Sequence, residues 1–256
     1  MASYIPLNRI EHAARRWRRP VGYAFAAEET IIPLAAIEAA QAAAELPLAF
    51  ASVDGVTQLV AVMSAKPGRN WFVGSDGRWL GQYVPALFRA YPFRLACADP
   101  GGQFGLWIAN EPSSAVDGEP IYDQAGELTP RVKAMASFLM TFENSRLQTQ
   151  RACAALESAG VLAPWTIRLR AVDEREEVLE GLLRIDDGAL SDLSDDAFVG
   201  LRRAGALGIA HAQLLSVSRL DILARLPKIA AMLGVWENNP HPDLGFLRPS
   251  DDDVIF

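Results

Sequence analysis

The pair Thr129-Pro130 places the strongest single constraint on how this chain folds. Threonine is a favoured helix N-cap because its hydroxyl satisfies an orphan backbone N–H. Proline at the next position is preset for helical φ and has no N–H to lose. Behind the pair, Val132, Met135, Phe138, Leu139 and Phe142 recur at helical spacing. The stripe weakens through Ser145, Arg146 and Thr149, resumes at Cys153 and Leu156, and meets a natural stop at Gly160. The pattern predicts one long helix in the middle of the chain.

The segments before that helix read mainly as hairpins and short helices. Leu48 to Val53 and Gln58 to Met63 flank Asp54-Gly55, a dipeptide suited to the positive φ angles of a tight turn. Leu95 to Ala98 faces Phe104 to Ala109 across Asp99-Pro100-Gly101-Gly102. Trp71-Phe72-Val73 reads as a further strand. A helix is expected from Pro33, with Leu34, Ile37 and Ala40 on one face, and a short one over Val84 to Tyr91. Residues 1–30 read as extended or irregular, and 111–128 as a long loop.

After the long helix, Trp165 to Arg170 and Glu177 to Ile185 alternate as strands, and Ser194 with Asp195 and Asp196 opens a helical region. That region breaks near Gly205 and ends at Pro227. Hairpins first and helices later predict an α+β fold. Its antiparallel or mixed sheet is built from hairpins, with the long helix and a C-terminal helical pair packed on it. The reading is a single domain over 1–234, with a basic extended arm within 1–30 and an acidic, proline-containing tail over 235–256.

The chain of 256 residues carries a formal charge of −7. That argues against broad nucleic-acid binding, which needs cationic surface to displace phosphate counterions. One segment departs from the balance: Arg15, Arg16, Trp17, Arg18 and Arg19 set four guanidinium groups around an indole. It suits phosphate or an acidic partner, and it suits equally a solvated arm. No stretch reaches the length a membrane helix needs, and the N-terminus makes a poor secretory signal because Glu28 and Glu29 follow its apolar run. A cytoplasmic location is expected. Cys97 and Cys153 read as reduced core residues.

Familiar catalytic motifs are missing: there is no P-loop, H-E-x-x-H, C-x-x-C or G-x-S-x-G. His12, His211 and His241 are the only histidines, and no pair has ligand spacing, so neither a metal site nor a cofactor is expected. His211 reads as a core or interface residue. The acids of Glu119-Pro120-Ile121-Tyr122-Asp123 read as solvated. The polar patch Glu143, Asn144, Ser145, Arg146 and Gln148 either lines a pocket or overhangs the sheet, the second reading being favoured. The most distinctive stretch is Asp76-Gly77-Arg78-Trp79 followed by Tyr83 to Phe93. Arg78, Trp79, Tyr83, Arg89 and Tyr91, with His211, form the candidate ligand-binding set. Guanidinium forks and amphipathic rings suit a carboxylate-bearing or aromatic ligand. They also suit bracing of the scaffold.

Several of these segments resemble the SapC family of bacterial proteins. The likeness is carried by Pro6-Leu7-Asn8 with His12, by Glu38 followed by Leu46-Pro47-Leu48-Ala49-Phe50, and best by Asp76-Gly77-Arg78-Trp79, Tyr83-Val84-Pro85-Ala86 and Arg89-Ala90-Tyr91-Pro92-Phe93. Glu119 to Asp123 with Gly126 and Thr129 fits too, as does His211-Ala212-Gln213-Leu214-Leu215-Ser216. Ala90 stands where the family commonly has a second arginine. The family is named for an association with surface-layer gene clusters and is often labelled a peptide-transport permease component, a label that the lack of a membrane span speaks against. Its members are often encoded near TonB-dependent receptors, tryptophan halogenases and cupin-like oxygenases. The resemblance therefore implies an accessory role in nutrient uptake or in peptide or tryptophan modification, and it carries over no catalytic residue.

The expected function is that of a non-catalytic accessory protein that binds a small molecule or a protein partner. The alternatives are an enzyme of unfamiliar type using a carboxylate with His12 or His211, and a transcriptional regulator acting through the basic arm. The high apolar fraction also allows homo-oligomers.

Overall fold

Three sheets and one long helix organise the residues that the structure, a computed structural model, describes: 3–97, 103–110, 118–170 and 176–238. In chain order the elements begin with β1 (Tyr4–Pro6), α1 (Arg9–His12), β2 (Arg16–Trp17), β3 (Ile31–Pro33) and α2 (Ala36–Ala43). Next come β4 (Leu48–Val53), β5 (Val56–Val62), α3 (Ala86–Ala90), β6 (Phe93–Cys97), β7 (Phe104–Ala109) and β8 (Glu119–Pro120). The second half holds α4 (Pro130–Ser158), β9 (Leu162–Arg170), β10 (Glu176–Ile185), α5 (Asp187–Ser191), α6 (Asp195–Arg203), α7 (Ala206–Ser216) and α8 (Leu220–Asn238). The fold is α+β.

The turn dipeptide Asp54-Gly55 takes φ of 53° and 76° and returns β4 as β5 with Val53 opposite Val56. A five-stranded sheet grows from this hairpin in the order β3-β5-β4-β10-β9, so the late strands extend the early sheet. The pairing of β10 with β4 sets Leu182 against Ala51 and Leu183 against Phe50. A second sheet runs β1-β7-β6, and a two-strand ribbon joins β2 to β8. The turn over 99–102, the acidic run 251–253 and the apolar end 254–256 lie outside the described residues.

Helix α4 ties the sheets together, because its apolar stripe serves two cores in succession. Val132 and Leu139 pack with Trp17, Ala90, Phe93, Ile108 and Ile121 on the smaller sheet. Ala152, Cys153 and Leu156 pack on the larger sheet, with Leu48, Phe50, Leu59 and the apolar faces of α6 and α7. Phe142, between them, meets Ala35 and Ala86. Phe50 and Phe72 are fully buried, each removal to alanine costing roughly 3–5 kcal/mol.

The polar interruption of α4 has a structural job. Thr149 Oγ1 accepts the Ala36 N–H at 2.7 Å, and Ser145 Oγ accepts the Ile37 N–H at 3.2 Å. These are orphan donors at the start of α2, so α4 caps a neighbouring helix with its own side chains. Beside them the buried Glu143 forms a two-pronged pair with Arg146 at 2.7 and 2.5 Å. The patch does not line the pockets described below: Ser145 serves α2, Glu143 and Arg146 hold each other, and Asn144 and Gln148 are exposed.

Several expectations need correction. Pro33 closes a strand, and α2 starts three residues later. Trp71-Phe72-Val73 forms only a single bridge, Val73 to Trp79. Thr129 leaves α4 without a side-chain cap, because its hydroxyl donates to the Pro120 carbonyl at 3.2 Å. Pro227 lies inside α8, not at its end. The basic arm is not free: Arg16 and Trp17 pair with Pro120 and Glu119, and Trp17 is buried. Cys153 is buried but Cys97 only half so.

Candidate functional site

A cleft of about 460 Å³ opens where the basic arm meets the Asp76-Gly77-Arg78 turn. The approach of the two segments depends on having no side chain at Gly22. A Cβ there would lie 2.7 Å from the Gly77 carbonyl oxygen, the same oxygen that accepts the Tyr23 N–H at 2.7 Å. Gly77 itself adopts φ of 80°, which a residue with a Cβ resists. The turn closes through Gly77 N–H to Gly74 O at 2.9 Å and Gly74 N–H to Arg78 O at 2.8 Å.

Four arginines line the cleft: Arg15, Arg16, Arg18 and Arg78. Arg15 donates to the Ala109 carbonyl at 2.9 Å and Arg16 to the Gly118 carbonyl at 2.7 Å, bonds that anchor the side chains while keeping their charge. Asp76 is the acid among the lining residues. The Arg78 backbone N–H, then its guanidinium, hold the Asp76 carboxyl below its usual value, and the two side chains form an ion pair. Phe25 and Tyr91 supply an apolar wall, their rings stacked 3.7 Å apart at 8°.

The candidate set is distributed over three places. Arg78 and Tyr91 line the cleft. Trp79 sits behind it, stacked on Phe72 at 5.4 Å and edge-on to Tyr23 and Phe88 at 5.5 and 5.8 Å, with its indole N–H donated to the Tyr83 carbonyl at 2.9 Å. Tyr83 and Arg89 lie inward around Glu38. His211 is exposed on α7 and lies outside the cleft lining, so it is not the core residue its neighbours suggested.

Glu38 is the residue that sequence reasoning passed over as chemistry. It is 3% exposed, and it accepts from the Tyr83 hydroxyl at 2.5 Å, the Ala86 N–H at 2.9 Å and the Ala35 N–H at 3.3 Å. Burial pushes its carboxyl above the usual range, with those three bonds and the Arg89 charge opposing. Burial and the same carboxylate drive the Tyr83 phenol upward. Arg89 lies over the Tyr83 ring at 5.8 Å and the Phe138 ring at 5.3 Å, and its Nε has no acceptor among the described residues. The signal in the sequence was a lone acid in an alanine-rich helix. Ala90, at the point where a second arginine would be common, is fully buried in the smaller core.

Of the His211 to Ser216 motif, the polar residues that matter structurally are Gln213 and Ser216. Gln213 accepts the Ile185 N–H at 2.9 Å and donates to the Leu48 carbonyl at 3.3 Å. Ser216 accepts the Leu48 N–H at 2.9 Å. They satisfy strand groups where β4 and β10 part. His12 is buried with Nδ1 against the Asn8 main chain at 3.0 Å. Among the described residues neither His12 nor His211 hydrogen-bonds a carboxylate, and no group of three or more His, Cys, Asp or Glu could hold a metal ion. Glu119 pairs with Arg131 in the open, and Asp123 Oδ1 accepts the Ala125 and Glu127 N–H groups of its own turn, so both acids serve local structure.

The class this defines is an α+β scaffold with an arginine-lined, aromatic-walled cleft. The SapC family model matches residues 7–223, and the chain belongs to that family. No curated protein and no solved structure matches it. Among the described residues no helix is long and apolar enough to cross a membrane.

Proposed function

We propose that this SapC-family chain is a non-catalytic binding protein that holds an anionic ligand in the arginine-lined cleft, as an accessory to an uptake or modification system. One observation carries the reading: four arginines line a cleft whose acid, Asp76, is already paired with Arg78. The remaining positive charge calls for a carboxylate or phosphate, which guanidinium forks grip with two parallel hydrogen bonds. The volume of about 460 Å³ falls in the range of small-ligand sites. The Phe25–Tyr91 stack supports a flat apolar portion of the same ligand.

Calorimetric titration with indole-3-acetate and with phenyl phosphate tests this. Saturable binding that Arg78→Ala weakens by about tenfold supports it. Absence of binding by either aromatic anion, or binding indifferent to Arg78→Ala, overturns it.

A further inference from the structure

A second recess, of about 260 Å³, adjoins the basic arm. Trp17 and Arg18 line both recesses. Arg19 brings the second one further positive charge, while Arg131 and Glu119 in its lining are paired with each other. Resting on the cleft as the binding site, we infer that its ligand is an extended acidic segment of a partner polypeptide that crosses β2 and enters both recesses.

Three observations point that way. Arg18 and Arg19 are exposed and have neither a hydrogen bond nor an ion pair among the described residues, so no described group takes up their charge. The Trp17 side chain, only 7% exposed, has an indole N–H with no acceptor among the described residues. A buried donor left unpaired costs roughly 1–3 kcal/mol; the N–H is covered from solvent, so a ligand carboxylate or carbonyl reaches it only when the arm shifts on binding. Third, α4 begins at the second recess with no side-chain cap and no acid in its first turn, leaving its positive end unneutralised.

Spacing selects the form of the ligand. Arg15 and Arg19 are four residues apart on either side of β2, at most about 13 Å at strand rise. Acidic side chains at i and i+4 of an extended peptide match that interval, whereas a single small anion reaches one recess. Val21, 97% exposed at the lip of the cleft, gives such a chain an apolar contact that an inorganic anion would leave in water.

The test is fluorescence anisotropy at low salt with the full chain and a fluorescein-labelled peptide of alternating glutamate and threonine. A lysine–threonine peptide and a single-stranded oligonucleotide of equal charge serve as comparisons. Saturable binding of the acidic peptide is expected, weakened by about tenfold or more by Arg18→Glu with Arg19→Glu, and separately by Arg131→Gln and by Arg78→Ala. Because Arg18 and Arg19 are exposed and have no partners among the described residues, their replacement leaves the melting temperature in place, which a thermal scan verifies. If the peptide ignores Arg19 and Arg131 while indole-3-acetate still needs Arg78, the bridging inference fails and the cleft reading survives. Loss of both probes removes both. Tighter binding of the oligonucleotide than of the peptide overturns the inference in favour of a nucleic-acid ligand.

Discussion

The Tyr83 hydroxyl donates to the buried carboxylate of Glu38 at 2.5 Å, and through that bond α2 is fastened to the segment that leads into α3. The same carboxylate takes the Ala35 and Ala86 N–H groups, so one side chain serves the start of two helices. Tyr83→Phe removes one of three donors and should cost roughly 1 kcal/mol. Glu38→Ala strands all three in a dry interior and should cost about 3 kcal/mol or more. Urea denaturation of the two variants measures both. Equal losses would mean that the carboxylate is not the hub.

A pH dependence follows from the same group. Burial raises the folded-state pKa of Glu38 above its ordinary 4.5, so the folded protein holds this proton more tightly than the unfolded chain does. The contribution is fully present below pH 4.5 and is lost as pH rises through the raised folded value. Glu38→Gln cannot titrate. The stability of the natural chain minus that of Glu38→Gln should therefore fall with rising pH across that window and level off beyond it. Arg89 and Tyr83 face the carboxylate and are common to both proteins, so the difference isolates Glu38. A difference that is constant, or that grows with pH, contradicts the assignment.

How far the sequence could be read depended on whether a signal was local. The Asp54-Gly55 hairpin, the strands on either side of it and the helix behind Thr129-Pro130 were legible, because turn chemistry and apolar period act within a few residues. The capping of α2 by Ser145 and Thr149 was not, since those residues lie more than one hundred positions along the chain from Ala36 and Ile37. The polar patch therefore looked like an overhang. Of the candidate residues, Arg78 and Tyr91 line the cleft, as do arginines of the arm. The spacing of 78–91 could not separate a ring that faces a recess from one, such as Trp79, that faces Phe72. That division is set by the close approach of Gly22 to Gly77, which no period encodes.

The approach of Gly22 to Gly77 gives a prediction of its own. A methyl group at position 22 would meet a backbone carbonyl at 2.7 Å, and backbone yields less readily than a flexible side chain. Gly22→Ala should push the arm off the turn, cost roughly 1–3 kcal/mol by overpacking, and weaken indole-3-acetate binding in the cleft. Gly200→Ala in α6 is the opposite case. That glycine is exposed, helical and has nothing within 4 Å of a built Cβ, so alanine should stabilise by about 0.5–1 kcal/mol. Thermal melts of the two variants should move in opposite directions. A shared direction would show that the close approach is not the controlling contact.

The two thiols should separate sharply in reactivity, and their separation reports on α4. Cys153 is buried against the larger sheet, and burial pushes its thiol up to about 12. At pH 8 its thiolate fraction is then about one part in ten thousand, and the thiolate is the form that reacts. Cys97, at the end of β6, is half-buried. Iodoacetamide on the native protein should label Cys97 alone. Labelling of Cys153 should require unfolding and follow the urea dependence of the global transition, because that half of α4 cannot leave the sheet without exposing Ala152 and Leu156 as well. Mass spectrometry of peptides after timed quenching reads both rates. Labelling of Cys153 at native rates comparable to Cys97 would show that the C-terminal half of α4 opens locally, and that the long helix does not hold the two cores as one unit.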